Sequence, residues 1–272
     1  MAAASHISYA SVAMKTGGSD MELEDKVIII SGASSGIGAA AARLFAAKGA
    51  QLVLGARRAQ TLSELVSEII EMGGMATSLA GDVRDEAYAQ ALVDRALDAY
   101  GRLDGAFNNA GIVGEMAAFS EMSAANWEAV MSTNLTSAFF ALKAQLPVMK
   151  AQRGGSIVFT SSFVGYSNGG LPGMGAYAAS KAGLIGLVQS VAADYAADGI
   201  RINSLLPGGT ITPAGGENNP EFLDYISGLH PMKRMAAAKE IAQAALFLLS
   251  DQSSFMTGSP MIVDGGMSVR LL

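Results

Sequence analysis

The sequence contains no cysteine. That absence excludes disulfides, thiolate catalysis and cysteine-ligated zinc or iron–sulfur centres together. It fits a reducing compartment, and a cytoplasmic location is expected. Charge is also scarce: 15% of residues are charged, and the net charge is −6 with no dense basic block. A nucleic-acid binder normally carries an electropositive footprint, so no nucleic-acid partner is expected. No apolar run reaches the roughly 18–20 residues that span a bilayer, so no membrane partner is expected either. The two histidines, His6 and His230, stand in no metal-ligand spacing, and no metal is expected.

Apolar residues and glycine are abundant: half of the 272 residues are apolar and 32 are glycine. A chain of this length buries a sizeable core without staples. Residues 1–22 are rich in Ala and Ser and have no acid before Asp20. They lack the charged start and continuous apolar stretch of a secretory signal, and read as a flexible extension or tag. Residues 23–272 contain neither a Pro/Ser linker nor a repeat of fixed period, and read as one domain.

From Asp25 onward, short apolar runs alternate with longer helical patterns. The β-branched run 27–30 has the pattern of a strand buried on both faces of a parallel sheet. Further strands are expected over 51–54, 75–80, 105–107, 156–159, 201–205 and 260–263. Helices are expected over 37–48, along the face of Leu62, Leu65, Val66, Ile69 and Ile70, and over 86–100, 127–152, 177–197 and 239–249. Gly49 and the Gly73-Gly74 pair supply the stops. Repeated β-α-β order predicts an α/β fold: a doubly wound parallel sheet of about seven strands with helices on both faces. The stretch 207–232, holding Gly208, Gly209, Pro213, Gly215 and Pro220, is irregular. It follows a strand's carboxyl end, where such sheets bind ligands. It is either a lid or a loose surface insertion, and a short helix over 221–228 favours the lid.

Between the first strand and first helix lies Ser31-Gly32-Ala33-Ser34-Ser35-Gly36-Ile37-Gly38. Its glycines permit a tight turn and close approach of backbone to a pyrophosphate, with the helix's N–H-rich end aimed at the anion. Close helix–strand packing alone would also use them. Asp82-Val83, after the third strand, can place a carboxylate near an adenine amino group. Asn108-Asn109-Ala110-Gly111, after the fourth, can close a cofactor groove. In Tyr177-Ala178-Ala179-Ser180-Lys181, tyrosine and lysine are four apart and share a helix face. A free phenol titrates near ~10, and an adjacent cation is expected to lower it toward working pH. Chance also places such pairs on solvated faces.

Taken in order, these glycines, the Asn-Asn-Ala-Gly segment, Asn134, Ser162 and Tyr-x-x-x-Lys resemble the short-chain dehydrogenase/reductase family. The likeness covers about 24–268 and includes Pro207-Gly208, Thr257-Gly258 and Val263-Asp264-Gly265-Gly266. It implies a Rossmann-type oxidoreductase whose catalytic set maps onto Asn134, Ser162, Tyr177 and Lys181. Tyr177 would be the general acid in carbonyl reduction and the base in alcohol oxidation. Lys181 would lower its pKa and bind the nicotinamide ribose, and Ser162 would hold the substrate oxygen. Asn134 would hold a water linking Lys181 to solvent; an amide satisfying a helix kink is compatible with that. The family's serine lies thirteen residues before its tyrosine, whereas Ser162 lies fifteen before Tyr177 and Ser161 sixteen. Two extra residues within 163–176 should reshape the pocket wall.

At the end of the second strand, no acid is present to bind adenosine ribose hydroxyls; Ala56 is followed by Arg57 and Arg58. A guanidinium can engage a 2′-phosphate, so NADP(H) is expected over NAD(H). Pro207, Gly208, Thr210 and Thr212 match the segment that contacts the nicotinamide carboxamide. The apolar 261–263 and 269–272 suit the homo-tetramers or homodimers the resemblance implies. The substrate is expected to be a small carbonyl or alcohol; Val113, Met116, Phe163, Tyr166, Met174, Phe222 and Tyr225 suggest apolar walls. An NAD-dependent enzyme, an epimerase or dehydratase, and a non-catalytic nucleotide-binding regulator remain alternatives.

Overall fold

Val27, Ile28, Ile29 and Ile30 are all buried, so the first strand contacts protein on both faces of its sheet. The structure, a computed structural model, describes residues 22–167, 170–213 and 219–269. The expected extension (Glu22 excepted), Gly215, two of the residues before Tyr177 and the last three residues lie outside the described residues.

The chain alternates as expected. It runs β1 (Val27–Ser31), α1 (Gly36–Ala47), β2 (Gln51–Ala56), α2 (Ala59–Glu71), β3 (Met75–Ala80), α3 (Glu86–Tyr100) and β4 (Gly105–Asn108). Then come α4 (Ala124–Met131), α5 (Ser137–Gln152), β5 (Gly155–Thr160), α6 (Gly175–Tyr195) and β6 (Ile200–Pro207). The short β7 (Thr210–Ile211), α7 (Pro220–Leu229), β8 (Ala236–Ala237), α8 (Ala238–Leu249) and β9 (Pro260–Val263) complete it. Seven strands form one parallel sheet in the order β3-β2-β1-β4-β5-β6-β9. Strand order reverses between β1 and β4, which opens a ligand crevice at their carboxyl ends.

Alternate side chains of each strand feed two cores. Ile28, Ile30, Leu52, Leu54, Phe107 and Leu205 pack beneath α1, α2 and α8. On the other face, Val27, Ile29, Val53, Ile157, Phe159 and Ile202 pack beneath α3, α5 and α6. Burying both faces explains why these strands read as continuous apolar runs.

Two expectations are corrected. The single helix predicted over 127–152 is two, joined by a π-helical turn at Ser132–Thr136. The wide turn carries Asn134 inward, where its amide bonds the backbone after β4. The stretch 207–232 is also less irregular than its glycines and prolines suggested. It contains the expected short helix, as α7, capped by the Asn219 side chain, and in addition β7, which pairs parallel with β8.

Candidate active site

The crevice is built first from glycine. Gly32 and Gly36 have φ of +68° and +55°. A Cβ on Gly38 would lie 2.2 Å from the Gly32 carbonyl oxygen, and one on Gly32 would lie 2.9 Å from the Ala110 backbone. Only bare backbone lets the turn, the start of α1 and the segment after β4 close together. Ser35, the α1 N-cap, makes no side-chain capping bond, and the first turn holds no acid. Its open N–H groups suit an anion, so the loop fits a dinucleotide pyrophosphate. Ser34 and Ile37 flank them, both half-buried.

Asn109 and Ala110 donate their N–H groups to the Ser31 hydroxyl at 3.1 and 3.3 Å, tying this segment to β1. Thr160 donates to Asn109 Oδ1 at 3.1 Å. Gly111 must stay small: a Cβ there would lie 3.2 Å from Asn134 Oδ1 and 3.3 Å from Lys181 Nζ. Beyond β6, Gly208 lies against the Asp264 backbone, and Thr210 donates to the Gly208 carbonyl at 3.0 Å. Thr212 reaches back over the glycine-rich turn, with its Cγ2 3.0 Å from where a Gly36 Cβ would stand.

Of the two arginines after β2, Arg58 is the one that reaches the loop, donating to Ser34 Oγ at 3.1 Å. Arg57 is exposed and close enough to help lower the Asp82 carboxyl. The largest influence on Asp82 is Arg84, whose guanidinium holds both carboxylate oxygens. Asp82 therefore already has a strong partner besides any adenine amino group. Val83 lines a cavity of about 30 Å³, room for one water, shared with Ser31, Asn108, Asn134 and Gln145.

The four expected catalytic positions converge. Ser162 is buried, caps the turn after β5 by accepting from Val164 N–H at 3.2 Å, and stands close enough to the Tyr177 phenol to draw its pKa down. The two extra residues thus still leave Ser162 near the Tyr177 phenol. Ser161 instead donates to the Lys181 carbonyl at 2.9 Å, pinning β5 to α6. Lys181 Nζ lies 5.6 Å from the Tyr177 ring centre. It donates to the Thr160 carbonyl at 2.6 Å. Asn134 accepts from Ile112 N–H at 2.9 Å and donates to the Ile112 carbonyl and Ser180 Oγ at 2.8 and 3.0 Å. Both amide hydrogens and one lone pair are therefore committed to this clamp, and the second lone pair of Oδ1 is left for a water, so the two expected roles stay compatible.

Electrostatics corrects the spacing argument. Tyr177 retains some surface access as a residue, but its hydroxyl is densely enclosed. Desolvation pushes the phenol upward, and the Ser162 hydrogen bond offsets this only in part. Desolvation also lowers Lys181, to about 8. Burial suppresses both charged forms, so the expected lowering of the phenol by its neighbour does not dominate.

Three partners escaped sequence reasoning: the Ser31 hydroxyl, the Thr160 carbonyl and Ser180. Ser180 alone had a signal, lying beside Lys181. The wall residues divide: Phe163 is buried, while Met116, Tyr166 and Tyr225 are more than two-fifths exposed. Among the described residues, no group of three or more His, Asp or Glu could hold a metal. No described helix is long and apolar enough to cross a membrane.

A family profile described as Enoyl-(Acyl carrier protein) reductase matches residues 32–268. The chain is 38% identical over 249 residues to a cyclohexanol dehydrogenase of Acinetobacter sp. (strain SE19), covering 92% of this chain and 97% of that one. It is likewise 38% identical over 250 residues to a 3-oxoacyl-(acyl-carrier-protein) reductase of Thermotoga maritima, covering 92% and 100%. Among solved structures, levodione reductase superposes with a TM-score of 0.87 at 34% identity, covering 92% of this chain and all of that one.

Proposed function

Because this chain belongs to the short-chain dehydrogenase/reductase family of oxidoreductases, we propose that it moves hydride between NADP(H) and a small carbonyl or alcohol substrate, with Tyr177 as proton donor and acceptor. The observation that carries this is the grouping of Tyr177 with Ser162 and Lys181 at the carboxyl end of β5.

A nicotinamide bound in the crevice supplies or takes the hydride. Gly32, Ser34, Ser35, Gly36, Ile37 and Gly38 would hold the pyrophosphate, and Arg58 with Arg57 would meet the 2′-phosphate. Val83 and the Asn109–Gly111 backbone line the groove, with Asp82 toward the adenine. Pro207, Gly208, Thr210 and Thr212 face the nicotinamide end. Ser162 orients the substrate oxygen beside the phenol. Burial keeps the phenol protonated at neutral pH, the form that donates to a ketone oxygen as hydride arrives. Lys181, at about 8, stays mostly cationic there and stabilises the phenolate left behind. Oxidation runs the same proton backwards. Phe139 on α5 and Ile262 on the edge strand β9 are exposed, which supports self-association through those elements.

The test combines NADPH or NADH with ketones, keto acids, keto sugars and β-ketoacyl thioesters, following loss of reduced-nicotinamide absorbance. Turnover with NADPH is expected, and Tyr177→Phe should cut kcat by about 10²–10⁴-fold while leaving cofactor affinity unchanged. Tight cofactor binding with no turnover across the panel would instead favour a regulatory protein.

A further inference from the structure

His230 is 1% exposed and ends α7, outside the Tyr177 group. Its Nδ1 lies 2.8 Å from the Ile226 carbonyl oxygen. A carbonyl only accepts, so Nδ1 carries the proton. Nε2 is then the acceptor, and it takes the Gly209 N–H at 3.0 Å. Both ring nitrogens are satisfied in one neutral tautomer.

The ring is also gripped by backbone from two segments. A Cβ on Gly209 would lie 2.7 Å from its Cε1, and one on Gly265 would lie 3.2 Å from its Cδ2. Met232 N–H donates to the Gly265 carbonyl at 3.2 Å, and Ala236 N–H to the Gly209 carbonyl at 2.9 Å. Gly209 is thus held at both its polar groups, by His230 on one side and Ala236 on the other. An apolar side chain in place of His230 would leave the Gly209 N–H without its acceptor. Two residues beyond β7's first residue, Thr212 packs on Gly36 of the phosphate loop.

We propose that His230 is a positioning residue that locks 208–212 to α7, so that the nicotinamide end of the cofactor meets a preformed wall. The inference rests on the dinucleotide-binding reading of the crevice. It locates the effect at one end of that ligand: the His230 ring bonds Gly209 in the segment facing the nicotinamide and Ile226 on α7.

The test is an equilibrium fluorescence titration of NADPH into wild type, His230→Leu and His230→Gln. A parallel titration uses 2′,5′-ADP, which has the phosphorylated adenosine end but no nicotinamide. His230→Leu should weaken NADPH about tenfold, the loss of one buried hydrogen bond's acceptor. Its affinity for 2′,5′-ADP should match wild type. His230→Gln can present Oε1 to the Gly209 N–H and should recover most of the NADPH affinity. In turnover, the leucine variant should raise the cofactor KM more than it lowers kcat. Wild-type NADPH affinity in the leucine variant, or equal losses for both ligands, would overturn the proposal. Should that variant fail to fold, His230→Asn carries the same comparison, since it can keep a bond to Ile226 but is too short to reach Gly209. Failure of wild type to bind NADPH or NADH would overturn the functional reading itself.

Discussion

Lys181→Met should make the ligand-free protein more stable. Lys181 is 3% exposed, and its ammonium donates to the Thr160 carbonyl at 2.6 Å. Desolvation lowers its pKa from 10.5 to about 8. At about 1.4 kcal/mol per unit, holding the charged form inside the fold costs about 3 kcal/mol. The folded pKa lies below the unfolded one, so the folded state binds fewer protons between them. The cost is full below about 8 and is relieved as pH rises from there toward 10.5. Methionine has similar length and no charge, but forfeits the Thr160 bond, worth at least about 1.5 kcal/mol because its donor is charged. The net gain near neutral pH is up to about 1.5 kcal/mol, or up to roughly 3–6 °C in Tm for a domain of this size. Urea and thermal unfolding of both proteins near neutral pH and near pH ~10 measures it, and the advantage should shrink at the higher pH. A methionine variant no more stable than wild type near neutrality, or equally advantaged at both pH values, would refute the reasoning. Turnover should fall in the same variant, because the phenolate loses its neighbouring cation.

Cofactor preference should depend on the arginines after β2. Arg57→Asp and Arg58→Asp should each shift the kcat/KM ratio from NADPH toward NADH. A charge-assisted hydrogen bond is worth about tenfold to 150-fold, and the exposure of both side chains points to the lower end. The larger effect is expected at Arg58, which already reaches Ser34; equal use of the two dinucleotides by wild type would defeat this assignment. Ser204 on β6 is buried, and its hydroxyl has no hydrogen-bond partner among the described residues. Ser204→Ala should therefore leave stability unchanged or raise it by up to about 1 kcal/mol in urea unfolding, and a clear loss would mean the hydroxyl has a partner.

Local patterns were read well where the physics is local. The strands at 75–80 and 260–263 and the helix at 86–100 coincide with β3, β9 and α3, because alternation, Gly stops and the Asp85 cap act over a few residues. The glycine loop was legible because close backbone approach leaves glycine few substitutes. Tyr177 and Lys181 were legible because helical pitch alone puts them on one face. Ser162 stays just after β5 despite the altered spacing, since strand ends move little when a surface loop lengthens.

Tertiary structure decided the rest. The π turn carrying Asn134 exists to meet Ile112, twenty-two residues away in sequence. The pairing of β7 with β8 joins segments that two-residue strands could not announce. Choosing Arg58 over Arg57 for the phosphate loop depends on how β2 ends beside α1, and the buried tautomer of His230 depends on Gly209 and Gly265 arriving from separate segments. The direction of the Tyr177 shift belongs here too. The sequence determined that a phenol and an ammonium would be neighbours, through spacing on one helix. Only the fold determined that both would be desolvated, and burial outweighs the attraction that spacing alone predicts.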